Sequence, residues 1–268
     1  MTDNIYTFTL WRVITGFAVL GTGAISFTYL AETISSQDRS KWSGIVVGVG
    51  HISIPFIGFI AMEVVPMGPE AWRWLFYQGV IGYIPLVLAY FFMKESPRWL
   101  VARGRLEEAE QVVFEITGKH VDLSEAAKNV QTKVPVMEVL TGMFRRQYIK
   151  RTLVLLAIVV FTNPATFTVT NWTATLLKAH GFSLEDSLMA TTIISVGVPA
   201  GLFFSSFVTD LGGRKIPIMC MLIILAVLGP IFGNMTGYWP VVLTGVVLTA
   251  VVMAMGFTVF SYTAESYP

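Results

Sequence analysis

The sequence predicts an all-α, polytopic transmembrane bundle of about seven helices. Three observations point there. The 268 residues are 54% hydrophobic and only 13% charged; a soluble domain carries roughly 25% charged residues, so lipid is the expected solvent for most of this chain. The apolar residues fall into seven runs, each near the length a helix needs to cross a bilayer core. The charges gather between those runs, mostly on alternate sides.

The runs lie roughly at 8–31, 42–63, 74–93, 152–176, 187–209, 216–233 and 239–261. Gly16, Gly21, Gly23, Pro55, Gly58, Gly82, Pro85, Pro199 and Gly201 lie inside them. Such residues weaken soluble helices, but membrane helices tolerate them, and small residues let two backbones approach closely. After the third run the pattern changes abruptly to Lys94-Glu95-Ser96-Pro97-Arg98-Trp99-Leu100. Ser96 reads as a helix N-cap with Pro97 at the first helical position, and Gly104 as the end of that short helix. Residues 105–116 then place Leu106, Ala109, Val112, Val113 and Ile116 on one helical face, opposite Glu107, Glu108 and Glu110. Residues 136–149 repeat the pattern more weakly. At about 58 residues, the 94–151 segment is small for an independent core, so a surface-lying helical ledge is expected.

Basic residues suggest the orientation. Arg39 and Lys41 separate the first two runs, Arg214 and Lys215 the fifth and sixth, and eleven more lie within 94–151. Of the eighteen basic residues only Arg12, Arg73 and Lys178 fall elsewhere. The positive side is expected to be cytoplasmic, with the N-terminus outside and the C-terminus inside. A plasma membrane location follows, or the inner membrane in a bacterium.

An internal echo suggests a repeat. The first run ends Tyr29-Leu30-Ala31-Glu32 and the seventh ends Tyr262-Thr263-Ala264-Glu265. A six-helix period is what transporters with two parallel halves would show. Four pieces together resemble the major facilitator superfamily. They are Glu95 to Leu100 with Gly104-Arg105 and Glu108-Ala109; Asp210-Leu211-Gly212-Gly213-Arg214-Lys215; Arg12, Gly16, Tyr29, Glu32 and Arg39; and Tyr262 to Pro268. The last piece is nearer to the organic-ion and metabolite:proton symporter branch than to strict sugar porters. The resemblance implies twelve helices, of which this chain corresponds to the fourth to tenth. On that reading it is a fragment or truncated frame: residues 1–93 hold the last three helices of the N-terminal half, 94–151 the cytoplasmic loop, and 152–268 the first four helices of the C-terminal half.

The resemblance also places candidate residues. Glu32, Arg39, Glu95, Arg98, Asp210, Arg214 and Glu265 fall at the cytoplasmic ends of helices. They are read as a gate whose acids meet arginines of the other half when that side is shut; the competing reading is ordinary surface charge. Arg12 is read either as snorkelling to headgroups or as the partner of a proton-carrying acid. His51 could carry a proton or touch solute, and a neutral histidine bonded between helices is the plainer reading. Asn163, Asn171 and Trp172, among several threonines of the fourth run, suggest a polar cavity wall, with helix-to-helix hydrogen bonding as the alternative.

No nucleophile–base set, metal-ligand cluster or phosphate-cradling glycine loop is evident, so no enzyme, cofactor or metal is expected. With a net charge of +1, nothing points to nucleic acid. The expected function is secondary transport of a small organic solute by alternating access, coupled to protons. A seven-helix receptor or photoreceptor is an alternative, weakened because the seventh run has no lysine for a retinal Schiff base and the lone Cys220 cannot form an outer-loop disulfide. A non-transporting remnant is another. The orientation is testable by single-cysteine labelling in intact cells. An impermeant reagent should label a cysteine at Gly237 and spare one at Glu125; labelling at Glu125 would reverse the assignment.

Overall fold

The computed structural model describes residues 4–34, 39–128, 136–179, 181–209 and 213–266. All secondary structure among them is helical. Among the described residues seven helical stretches are long and apolar enough to cross a membrane: Ile5–Leu30, Lys41–Met67, Ala71–Phe92, Ile149–Ala179, Leu184–Val208, Lys215–Asn234 and Tyr238–Thr263. They coincide with the seven apolar runs to within a few residues, because length and apolarity alone define such a span. The chain divides into two compact units, one of residues 1–39 and 92–132, the other of 40–91 and 133–268.

In the first unit, the first span belongs to a continuous helix, Ile5–Thr33. Its start is capped by the Asn4 side chain, which accepts from the Tyr6 amide at 2.9 Å. Large apolar side chains such as Phe17 and Leu20 are exposed along it, as lipid-facing residues would be. Its threonines return their protons to the backbone: Thr9, Thr15, Thr22 and Thr28 each donate to the carbonyl four residues earlier, at 2.8–3.0 Å. That satisfies hydroxyls for which a bilayer offers no water.

The ledge follows the sequence rules closely. The Ser96 hydroxyl accepts from the Trp99 amide at 3.3 Å, and Pro97 opens the Pro97–Ala102 helix. Gly104, at φ +76°, turns the chain into the Leu106–Thr117 helix, and Gly118, at φ +68°, ends it. These left-handed conformations are where glycine costs least. Leu100, Ala109 and Val112 are buried together, with Val101 and Leu123 packed on them. The Glu110 carboxylate holds the next segment by accepting from the Leu123 amide at 3.0 Å. Ile116, expected on the buried face, is 45% exposed. The Pro97–Ala102 helix is too short, at six residues, to cover the far end of its partner.

The second unit contains spans two to seven; the third alternates 3-10 and α turns from Ala71 to Gly82, and three others are interrupted. The second breaks at His51 into Arg39–His51 and Ser53–Val64. The fifth breaks between Leu184–Ser195 and Gly197–Val208. In both, a proline lies four residues past the break point: Pro55 after His51 and Pro199 after Ser195. Proline has no N–H to return to the carbonyl four residues back, and its ring crowds that carbonyl. The fourth span holds Pro164 and then widens into a π-helical turn, Thr168–Trp172.

The fifth and seventh spans form the centre, and about half of each is buried within the protein. Their crossing is set by glycine. A methyl group at Gly201 would overlap the Ala250 backbone, and one at Gly197 the Val246 carbonyl oxygen. Gly245 makes the reciprocal contact, since a methyl there would lie 2.7 Å from Ile194 Cδ1. The second span packs on the fifth in the same way, where a methyl at Gly58 would meet Thr192 Oγ1 at 2.8 Å. Below the crossing, the buried hydroxyls of Thr209 and Thr258 bond at 3.0 Å. A cluster of Ile218, Met221, Ala254, Met255 and Val259 ties the sixth span to the seventh.

This packing makes a comparison of two glycines informative. Gly16 has open space where its side chain would be, whereas Gly201 faces backbone. Gly201→Leu should destabilise the detergent-solubilised chain by about 1–3 kcal/mol, the usual scale of overpacking. Gly16→Leu should leave stability unchanged or raise it. Equal midpoints for the two variants in thermal unfolding would refute the close crossing.

Candidate functional site

The interruptions converge on a cavity of about 350 Å³ within the second unit. Its wall comes from four spans: His51 and Ile54 from the second, Val169 to Asn171 from the fourth, Thr191, Ile194, Ser195 and Val198 from the fifth, and Thr249 and Met253 from the seventh. His51 lies at the break before Pro55 and Ser195 at the break before Pro199; Thr170 and Asn171 lie in the π-helical turn. Wide turns of this kind are frequent at functional sites, because they rotate side chains off the regular helical face.

Most polar groups of the wall have their protons committed. Thr170 donates to the Thr166 carbonyl at 2.8 Å, Thr191 to Ser187 at 2.7 Å and Ser195 to Thr192 at 2.6 Å. Asn171 Nδ2 donates to Thr170 Oγ1 at 2.8 Å and to the Phe167 carbonyl at 3.2 Å. His51 Nδ1 lies 2.8 Å from the Val47 carbonyl oxygen. In a neutral ring that contact places the proton on Nδ1 and makes Nε2 an acceptor. The wall residues therefore carry acceptor atoms: Asn171 Oδ1, His51 Nε2 in that tautomer, and hydroxyl oxygens. Among the described residues no Lys, Arg, Asp or Glu lines it. A larger cavity of about 540 Å³ lies among the fourth, sixth and seventh spans, but its wall is mainly apolar, with Thr168, Thr173 and Thr236 among its few polar residues. It offers little to orient a polar solute.

The structure thus brings His51 and Asn171 together. Asn163 and Trp172 sit exposed on the same span as Asn171, outside the smaller cavity. Arg12 lies exposed on the first span, in the other unit, with no ion pair among the described residues. Thr191, Ser195 and Thr249 were not singled out from the sequence. Ser187, Thr191 and Ser195 carry a legible signal, since a spacing of four sets them on one helical face; Thr249 carries none.

At the charged ledge, Glu32 accepts a hydrogen bond from the Ser96 hydroxyl, joining the end of the first span to the cap of the Pro97–Ala102 helix. Glu95 and Arg98 are exposed beside it, and Lys94 pairs with Glu115 at 3.0 Å. Arg105 grips Glu108 through two nitrogens, with Nε at 2.7 Å. Arg214 is half-buried just before the Lys215–Asn234 helix. The side chains of Arg39 and Glu265, and the whole of Asp210, lie outside the described residues. Among the described residues no group of three His, Cys, Asp or Glu side chains could hold a metal ion.

A multi-helix fold with seven stretches long and apolar enough to cross a membrane defines the class among the described residues: a polytopic membrane protein. The chain belongs to the "Sugar (and other) transporter" family of the major facilitator superfamily, whose profile matches residues 1–268. It is 33% identical to the putative metabolite transport protein YdjK of Escherichia coli (strain K12), over 93% of this chain and 57% of that protein. It is 26% identical to the putative metabolite transport protein YyaJ of Bacillus subtilis (strain 168), over 96% of this chain and 58% of that protein. A partially occluded, inward-open structure of the xylose transporter XylE from E. coli shares the fold. Its TM-score is 0.62 at 21% identity, over 97% of this chain and 57% of that one. The chain spans a little over half the length of these relatives. They are transport proteins, not enzymes.

The ledge has a pH signature. The hydrogen bond from Arg105 holds the Glu108 carboxyl below its ordinary value, and bonds from the Ser124 hydroxyl and amide do the same for Asp122. A lowered folded-state value means the ionised acid favours the folded form. That contribution is complete above the ordinary carboxylate range and is lost as pH falls toward the lowered values. Amide protection over 97–128, corrected for intrinsic exchange, should therefore weaken on acidification, and Glu108→Gln should flatten part of the dependence. A profile identical in the variant would show that the Arg105–Glu108 pair does not contribute.

Proposed function

We propose that the chain forms the larger part of a secondary transporter that moves a small, uncharged organic solute by alternating access, driven by protons. The observation that carries this reading is the cavity at the helix breaks, where His51 and Asn171 present acceptors inside otherwise apolar spans. A bilayer makes such groups costly unless they serve a pathway. The family supports transport, and the names of relatives indicate metabolites and sugars as cargo, among them a facilitated trehalose transporter of Polypedilum vanderplanki and a glucose transport protein of Synechocystis. Trp172, the last residue of the π-helical turn, and Asn163, upstream of it, are assigned to the approach to the cavity. His51 and Arg12 are the proton-pathway candidates.

The division into an N-terminal part (1–93), a cytoplasmic loop (94–151) and a C-terminal part (152–268) belongs to the same proposal, as does an N-terminus facing outward. So does the gate. Glu32, Arg39, Glu95, Arg98, Asp210, Arg214 and Glu265 would pair across halves in the inward-closed state, with the Glu32–Ser96 bond fixing one side of it. Acids and arginines at span ends support this reading, since breaking such pairs on opening would set the balance between two states.

The test is solute uptake into vesicles by the whole transporter containing this sequence. A protonophore should abolish accumulation; undiminished accumulation would leave proton coupling without support. His51→Ala and Asn171→Ala should each lower solute affinity about tenfold, the scale of one or two buried hydrogen bonds, and uptake indifferent to both would remove the cavity from the pathway. Glu95→Gln or Glu265→Gln should weaken the inward-closed state by about 1–3 kcal/mol, a typical coupling between states, slowing transport while affinity changes less. Wild-type rates in both would return these residues to plain surface charge.

A further inference from the structure

The fourth span is entered through a stretch of one charge sign. Arg145, Arg146, Lys150 and Arg151 lie within seven residues, and no Asp or Glu occurs between Glu138 and Glu185. Other basic side chains near span ends have partners: Arg73 pairs with Glu70, Lys94 with Glu115 and Arg105 with Glu108, and Arg103 lies over the Trp99 ring. Arg145, Arg146 and Lys150 are exposed, and their side chains make no ion pair among the described residues. The stretch is nonetheless held in shape. The Tyr148 and Ile149 amides donate to the Arg145 carbonyl at 2.9 and 3.0 Å, and the buried Thr152 hydroxyl reaches the Met143 carbonyl at 2.7 Å. Arg145, Arg146 and Gln147 line an open hollow of about 450 Å³. The helix that follows, Ile149–Phe167, has two sides at this end. Thr152 and Leu155 are buried, whereas Leu153, Val154, Ala157 and Phe161 are exposed. Counted from Lys150 the exposed four fall at i+3, i+4, i+7 and i+11, so Lys150 heads an apolar stripe. At 1.5 Å per residue the stripe runs about 16 Å, close to half the hydrocarbon core.

We propose that the foot of the fourth span is a docking site for a phospholipid whose headgroup carries a net negative charge. Arg145, Arg146 and Lys150 hold its phosphate, and an acyl chain lies along the stripe below. Cations clustered beside a membrane helix attract anionic lipid, and arginine forks suit phosphate oxygens. The sign of the cluster makes the selection. A zwitterionic lipid brings an ammonium that finds no acid in residues 139–184. A free phosphate satisfies the cations but leaves the stripe uncovered. Phosphatidylglycerol, with one phosphate, no amine and two chains, meets both demands.

The experiment uses the whole transporter containing this sequence, purified into nanodiscs of mixed phosphatidylcholine and phosphatidylglycerol, with native mass spectrometry counting the lipids that stay bound. The wild type should retain phosphatidylglycerol in preference to phosphatidylcholine. Replacing Arg145, Arg146 and Lys150 together by Gln should weaken phosphatidylglycerol binding roughly 100-fold, since each Lys or Arg near an anionic surface is worth about fivefold. Arg145→Lys with Arg146→Lys keeps the charge and should keep the lipid. Lys94→Gln, Arg103→Gln and Lys119→Gln together remove as much charge at the ledge and should change nothing. Dihexanoyl phosphatidylglycerol should bind more weakly than the dioleoyl lipid, because its chains cannot cover the stripe. The inference is overturned if the two lipids are retained alike, or if the first triple variant holds phosphatidylglycerol as the wild type does. Equal loss in the ledge variant would overturn it too, by assigning the preference to overall charge. Displacement of the lipid by millimolar inorganic phosphate would mark an ion site instead. A lower unfolding midpoint of the first triple variant in phosphatidylcholine alone would mark the cations as structural and overturn it as well.

Discussion

The close approach of the fifth and seventh spans at Gly197 and Gly201 is the constraint on which the second unit depends. Between membrane helices lipid competes equally well for apolar surface, so association rests on packing and on shared polar contacts. Here packing is brought to backbone contact, because a side chain at Gly201 would occupy the space of the Ala250 backbone. The same approach buries the Thr209–Thr258 hydroxyl pair and leaves Ile194, Val198, Leu248 and Val252 in the core. Had either glycine carried a β-carbon, the spans would separate and the cavity wall they share would change shape.

Around that fixed crossing, proline supplies the irregularity a binding site needs. Pro55, Pro164 and Pro199 each interrupt or precede an interruption of a span, and His51, Asn171 and Ser195 lie at or near those interruptions. A regular helix hides its carbonyls in its own ladder. A proline removes one donor from that ladder and leaves the carbonyl four residues back, here of His51 and of Ser195, without its usual partner. In lipid such a carbonyl must face protein or a water-filled space. The cavity is thus the place where the bundle can accommodate broken helices, and it gathers polar side chains for the same reason. Glycine draws the helices together, and proline opens polarity between them.

Much of this was legible in the sequence. The seven spans follow from length and apolarity, and the Ser96–Pro97 cap and the Gly104 turn from local backbone chemistry. His51 and Asn171 stood out as polar groups inside apolar runs. What was not legible depends on three-dimensional neighbours. Ile116 has the right period to be buried, yet lacks a partner long enough to cover it. Asn163, Asn171 and Trp172 share one run, but only the π-helical turn decides which of them lines the cavity. Thr249 is invisible in sequence because a threonine in an apolar helix ordinarily bonds its own backbone; its unpaired hydroxyl is a property of the fold.

The central claim is that the glycine crossing shapes the polar cavity, and cysteine accessibility tests it most directly. With the exposed Cys220 replaced by serine, a single cysteine at Ser195 reports on the wall that the fifth span contributes. Its alkylation rate in nanodiscs should change several-fold when Gly201→Leu is added, because the crossing that holds that wall has been forced apart. An unchanged rate in a folded double variant would show that the cavity does not depend on the crossing, and the account would be wrong.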